Sequence, residues 1–101
     1  MVTKEEIINA LKNVYDPEIP INIVDLGLIY KLDVDEENGV VKILMTMTAP
    51  GCPMGNYILN DVEMVVRSLD GVKDVQIELT YDPPWSPDMM SEEAKKELGY
   101  L

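Results

Sequence analysis

The chain has 101 residues, 47% of them hydrophobic and 27% charged, a balance that fits one folded core and excludes a disordered tail. Its 19 acidic against 8 basic side chains give a formal charge of -11, which repels phosphate backbones and anionic lipid headgroups. Cys52 is the lone cysteine, histidine is absent, and no apolar run nears the roughly 18 residues of a membrane span, so no disulfide framework or anchor is expected.

These features predict a single domain over 1–101, located in the cytoplasm, that binds neither nucleic acid nor membrane. The acidic surface serves solubility, or docking onto a basic protein patch.

Thr3 followed by Glu6 reads as a capping box at the start of a first helix. Ile7, Ile8, Leu11, Val14 and Tyr15 keep helical spacing until Asp16-Pro17, which predicts a helix over 4–15. Two prolines make 16–22 a loop leading to Asp25-Leu26-Gly27. Leu28, Tyr30, Leu32 and Val34 then alternate with Lys31 and Asp33 as a half-buried strand.

Asn38-Gly39 favours positive φ and predicts a hairpin to a second strand over 40–48. Val41, Ile43, Met45 and Met47 share its inner face, opposite Lys42, Thr46 and Thr48, which leaves Thr48 beside the loop carrying Cys52. Ile58, Val62, Val65 and Leu69 predict a second helix over about 53–69, ended by Asp70-Gly71. Val75, Ile77, Leu79 and Tyr81 alternate as a third strand, closed by Asp82-Pro83-Pro84.

Trp85 sits among prolines and reads as a cover for the open end of the core. Ser91 caps a short third helix, with Glu92 and Glu93 before Lys95 and Lys96 in the order its dipole favours, and packing of this helix is the plainer role for Met89 and Met90. The order α-β-β-α-β-α implies a two-layer α/β sandwich with one sheet face covered by helices and the other facing water. A right-handed return through the second helix makes the third strand parallel to the second and the sheet mixed.

The chemistry centres on Cys52, where a Pro- and Gly-rich loop enters a helix whose free N–H groups favour a thiolate. The plainer alternative is a small buried hydrophobe. Pro50 and Pro53 restrict the backbone on either side of Gly51-Cys52, as in a held site. With no second cysteine and no histidine, any soft metal or cluster must borrow further ligands, and a Cys-His nucleophilic pair is excluded. Asp16, Glu18 and Asp25 crowd the loop before the first strand and would form a small acidic site if that loop meets Cys52. Asp16 also serves as a helix stop or Asx-turn and Glu18 as a solvated charge, whereas Asp25 lies between apolar Val24 and Leu26. Carboxylates near the thiol raise its pKa and oppose the helix terminus.

Four segments in order resemble the SufT/PaaD-like family over nearly the whole chain: Asp16-Pro17-Glu18-Ile19-Pro20, Val24-Asp25-Leu26-Gly27-Leu28-Ile29-Tyr30, Thr46-Met47-Thr48-Ala49-Pro50-Gly51-Cys52-Pro53, and Trp85-Ser86-Pro87-Asp88-Met89-Met90-Ser91. The family includes the MIP-type factors of the eukaryotic cytosolic assembly pathway. The resemblance implies an iron-sulfur cluster assembly domain similar to the C-terminal domain of NifU-like scaffolds. It also implies a functional site at Asp16, Glu18, Asp25, Thr48 and Cys52. The PaaD-type branch adds a cysteine-rich portion after the third helix, which this sequence does not show, so a dedicated oxygenase role is not expected.

The leading expectation is a non-enzymatic maturation factor. Cys52 transiently engages iron, sulfide or a cluster, with no cluster held stably by the monomer. The remaining ligands come from a second copy in a homodimer, an assembly protein, an apo-protein target or a small thiol. The alternatives are a protein-binding adaptor with a structural Cys52, and a thiol-dependent transfer enzyme.

Overall fold

A computed structural model describes residues 2–16, 19–48 and 55–99. The elements run α1 Lys4–Leu11, β1 Ile29–Asp35, β2 Val40–Met45, α2 Gly55–Arg67, β3 Asp74–Leu79, a 3-10 turn Pro87–Met89, and α3 Glu92–Glu97. The sheet order is β1-β2-β3, with β1 antiparallel and β3 parallel to the central β2. The mixed sheet expected from a helical crossover is therefore present.

The core lies between the sheet and the helices. Val41, Ile43 and Met45 of β2 are buried against Ile7 and Leu11 of α1 and Ile58, Val62 and Val66 of α2. Each such side chain contributes roughly 1.5–3 kcal/mol by leaving water. On the other face, Lys31, Asp33, Lys42, Leu44, Gln76 and Glu78 line an open groove. The pairings Asp33 with Lys42 and Leu44 with Glu78 put these residues in register across the three strands.

Several boundaries differ from the sequence pattern. The first helix stops at Leu11 instead of 15: Asn13 and Val14 donate to Ala10 and Leu11 in tight turns, and Tyr15 then bridges Asn22. Asp16 precedes a proline and so disfavours helical backbone, and Val14 is buried by folding back rather than by helical phase. In β1 a register shift between Ile29 and Lys31 makes Tyr30 the extra residue, so Ile29 pairs with Met45 on the core side.

The second strand ends at Met45, yet the chain stays paired a little further, because Thr46 N–H donates to Leu28 O at 2.9 Å. Thr46, expected to point outward, is fully buried. Leu79 and Tyr81, expected inside, are each 38% exposed, at the end of an edge strand. The helix expected over 53–69 is observed as Gly55–Arg67, and its expected first two residues lie outside the described ones.

Candidate functional site

Residues 22–28 form a single helical turn capped at both ends. Asn22 Oδ1 accepts from the Asp25 N–H at 2.9 Å, and Asn22 Nδ2 donates to Asp25 Oδ2 at 2.7 Å. The first bond is that of an N-cap, and the second joins the two side chains directly in place of the return bond to the cap N–H that a capping box makes. At the other end Leu28 N–H donates to Ile23 O and Gly27 N–H to Val24 O, the two bonds of a Schellman ending. Gly27 has φ +81, as that ending requires.

Gly27 is required for a second reason. A Cβ there would lie 2.3 Å from the carbonyl oxygen of Met89. Residues 85–91 cross the turn at this point: Trp85 Nε1 donates to Leu26 O at 2.6 Å, and Ser91 N–H donates to Asp25 O at 2.8 Å. Tyr30 holds the same segment from β1, its hydroxyl donating to Pro83 O at 2.8 Å. Trp85 packs against the core cluster, as its place in the sequence led us to expect.

The turn stands at one end of the sheet. The bond from Thr46 N–H to Leu28 O joins the last residue of the turn to the end of β2, and Thr80 N–H donates to Met45 O on the other side. Thr48, half-buried, lies two residues beyond Thr46. Asp25 and the chain leading toward Cys52 therefore leave the sheet at the same end.

Asp16 is buried, and its Oδ1 accepts from Ile19 N–H at 3.2 Å, the local turn contact weighed for it in the sequence. Its N–H faces Ile21 O at 3.4 Å, so its strand of the loop runs beside the start of the 22–28 turn. Glu18 and Cys52 lie outside the described residues. Asp25 also borders a pocket of about 240 Å³, lined by Tyr15, Asn22, Glu93 and Glu97 among others. Among the described residues, no three His, Cys, Asp or Glu side chains converge to hold a metal ion.

Sequence reasoning missed Asn22, which orients Asp25, and Tyr30, which anchors the crossing segment. An Asn three residues before an Asp, closed by a Gly, is a cap signature that would have found the first. No local signal marks the second.

Fold and site together define a small α/β protein with a three-stranded mixed sheet and a carboxylate-bearing turn at the end where β2 departs. The chain belongs to the iron-sulfur cluster assembly protein family, whose profile matches residues 4–79. It is 56% identical to a Porphyromonas gingivalis protein named Fe-S protein maturation auxiliary factor, over 98% of this chain and 93% of that protein. It is 44% identical to the Bacillus subtilis Fe-S protein maturation auxiliary factor YitW, over 95% of this chain and 93% of that one. A crystal structure of a domain of unknown function, DUF59, from Bacillus anthracis superposes with a TM-score of 0.89 at 38% identity, covering 97% of this chain and 92% of that chain. Among the described residues no helix is long and apolar enough to cross a membrane.

Proposed function

We propose that this protein is a non-enzymatic iron-sulfur maturation factor in which Cys52 transiently engages iron, sulfide or a cluster. The near full-length likeness to maturation auxiliary factors carries this reading. The placement of Asp25 and Thr48 at the end of the sheet where β2 departs, with Asp16 beside the start of the 22–28 turn, supports a shared site, to which the sequence adds Glu18 and Cys52. One thiol supplies one ligand, and a cluster needs four, so assembly proteins, apo-protein targets, a second copy or a small thiol complete the set. The protein acts in the cytoplasm as one domain over 1–101. Its fold is akin to the C-terminal domain of NifU-like scaffolds, which superposition of the two tests.

Reconstitution with iron, sulfide and a small thiol, followed by absorption spectroscopy, is the test. The Cys52→Ser protein is expected to lose the charge-transfer absorption of the wild type, and an equal signal from both removes Cys52 as a ligand.

A second reading, an adaptor that docks onto other proteins, has its own observation. Tyr57 and Met64 are 53% and 65% exposed and lie seven residues apart on one face of α2. Recovery of bound assembly proteins that survives Cys52→Ser but falls in Tyr57→Ala would favour it.

A further inference from the structure

A single helical turn is too short to be stable by itself, because nucleation costs more than its few hydrogen bonds return. The turn 22–28 persists because every carbonyl from Asn22 to Leu26 is satisfied. Leu26 N–H serves Asn22 O, Leu28 N–H serves Ile23 O and Gly27 N–H serves Val24 O, all from within the turn. The last two carbonyls, those of Asp25 and Leu26, have no partner in the turn. Ser91 N–H serves the first and the Trp85 indole the second.

The donors come from a segment that is itself anchored. Met90 and Ala94 are buried, Ser91 Oγ caps α3 by accepting from Ala94 N–H, and the Tyr30 hydroxyl reaches both Pro83 O and Met89 Sδ. The family profile ends at residue 79, before any of the segment begins.

We infer that residues 85–91 are a clamp and that Trp85 is a positioning residue for Asp25. The indole and the Ser91 amide hold the backbone of the turn from one side, and Asn22 aims the carboxylate from within. This rests on Asp25 belonging to the site proposed above.

Trp85→Phe keeps the aromatic packing and removes the donor. Amide exchange at Leu26 and Leu28 is expected to quicken roughly fivefold, the size one lost hydrogen bond allows, while Ile43 in the central strand stays unchanged. The Cys52-dependent absorption after reconstitution with iron and sulfide is expected to fall to the level of Asp25→Asn, and the double variant no lower. If Asp25→Asn lowers that signal and Trp85→Phe moves neither exchange nor signal, the clamp is overturned and the site stands. If Asp25→Asn leaves the signal at the wild-type level, Asp25 is no site residue and the positioning role falls with it. A measurement on the unaltered protein guards against a variant that fails to fold: the Trp85 indole proton is expected to exchange slowly with water, and rapid exchange overturns the clamp.

Discussion

Two turns in this protein use the same chemistry at opposite ends of the sheet. In one, Asn22 and Asp25 exchange side-chain and backbone hydrogen bonds; in the other, the Asn38 N–H and Nδ2 donate to the two carboxylate oxygens of Asp35 at 3.2 and 2.8 Å. Each ends on a glycine with positive φ, Gly27 at +81 and Gly39 at +68. Each glycine is pressed against a carbonyl oxygen that an added Cβ would meet at 2.3 Å, that of Met89 in one case and Gly71 in the other. The order of the two residues is reversed, and so is their exposure. In the hairpin turn Asp35 and Asn38 stay exposed and only the buried Gly39 is covered, its carbonyl accepting from the Lys73 and Asp74 N–H groups, whereas in the 22–28 turn Asn22 and Asp25 themselves are partly buried and residues 85–91 cross them. A local motif becomes a candidate site through what packs on it.

The largest expected effect comes from the glycines. Gly27→Ala and Gly39→Ala should each cost about 2 kcal/mol or more, from the left-handed backbone together with the carbonyl clash, measured by denaturant unfolding. Trp85 fluorescence separates them: Gly27→Ala should shift its emission by displacing the crossing segment, and Gly39→Ala should not. Equal emission in both variants would break the comparison.

Smaller effects should follow from the asparagines. Asn22→Ala removes a cap from a partly buried turn and should cost about 1 kcal/mol, while Asn38→Ala in its exposed turn should cost less than half as much. Equal losses in urea titrations would mean that the covering segment adds nothing to the first turn.

The smallest effect is electrostatic. The Asn38 side-chain amide, then its backbone N–H, hold the Asp35 carboxyl below its ordinary value of 3.8. A depressed folded-state value gives a stabilising contribution that is complete above the unfolded value and lost as pH falls through the folded one. Asn38→Ala should return the Asp35 titration, followed by carbon NMR, toward 3.8 and flatten stability against pH only below that value.

The hairpin was legible because Asn-Gly between alternating strands is a strong local signal, although the connection runs over 36–39 and Gly39 takes the positive φ while Asn38 does not. The 22–28 turn was only half legible: one turn is too short to show a period, so it read as a loop, though Asp25 stood out between apolar neighbours. Thr46 was misread because alternation sends a threonine outward, and nothing local reveals that Leu28 pairs with it. The Tyr30 bulge is likewise a property of two strands together. Val14 and Tyr15 kept helical spacing while belonging to the returning loop, where Val14 is buried outside any helix and Tyr15 is exposed. Trp85 was correctly read as a cover, but its partner, Leu26, is 59 residues away and beyond any motif.

That separation has a consequence for assembly of the protein itself. The hairpin closes between near neighbours in sequence, whereas the turn carrying Asp25 is complete only after the chain has passed through β3 and returned. A chain still emerging from synthesis can hold all three strands and yet lack the two donors for Asp25 and Leu26. The turn that carries Asp25 would then be the last of these elements to be completed, after the sheet on which it stands.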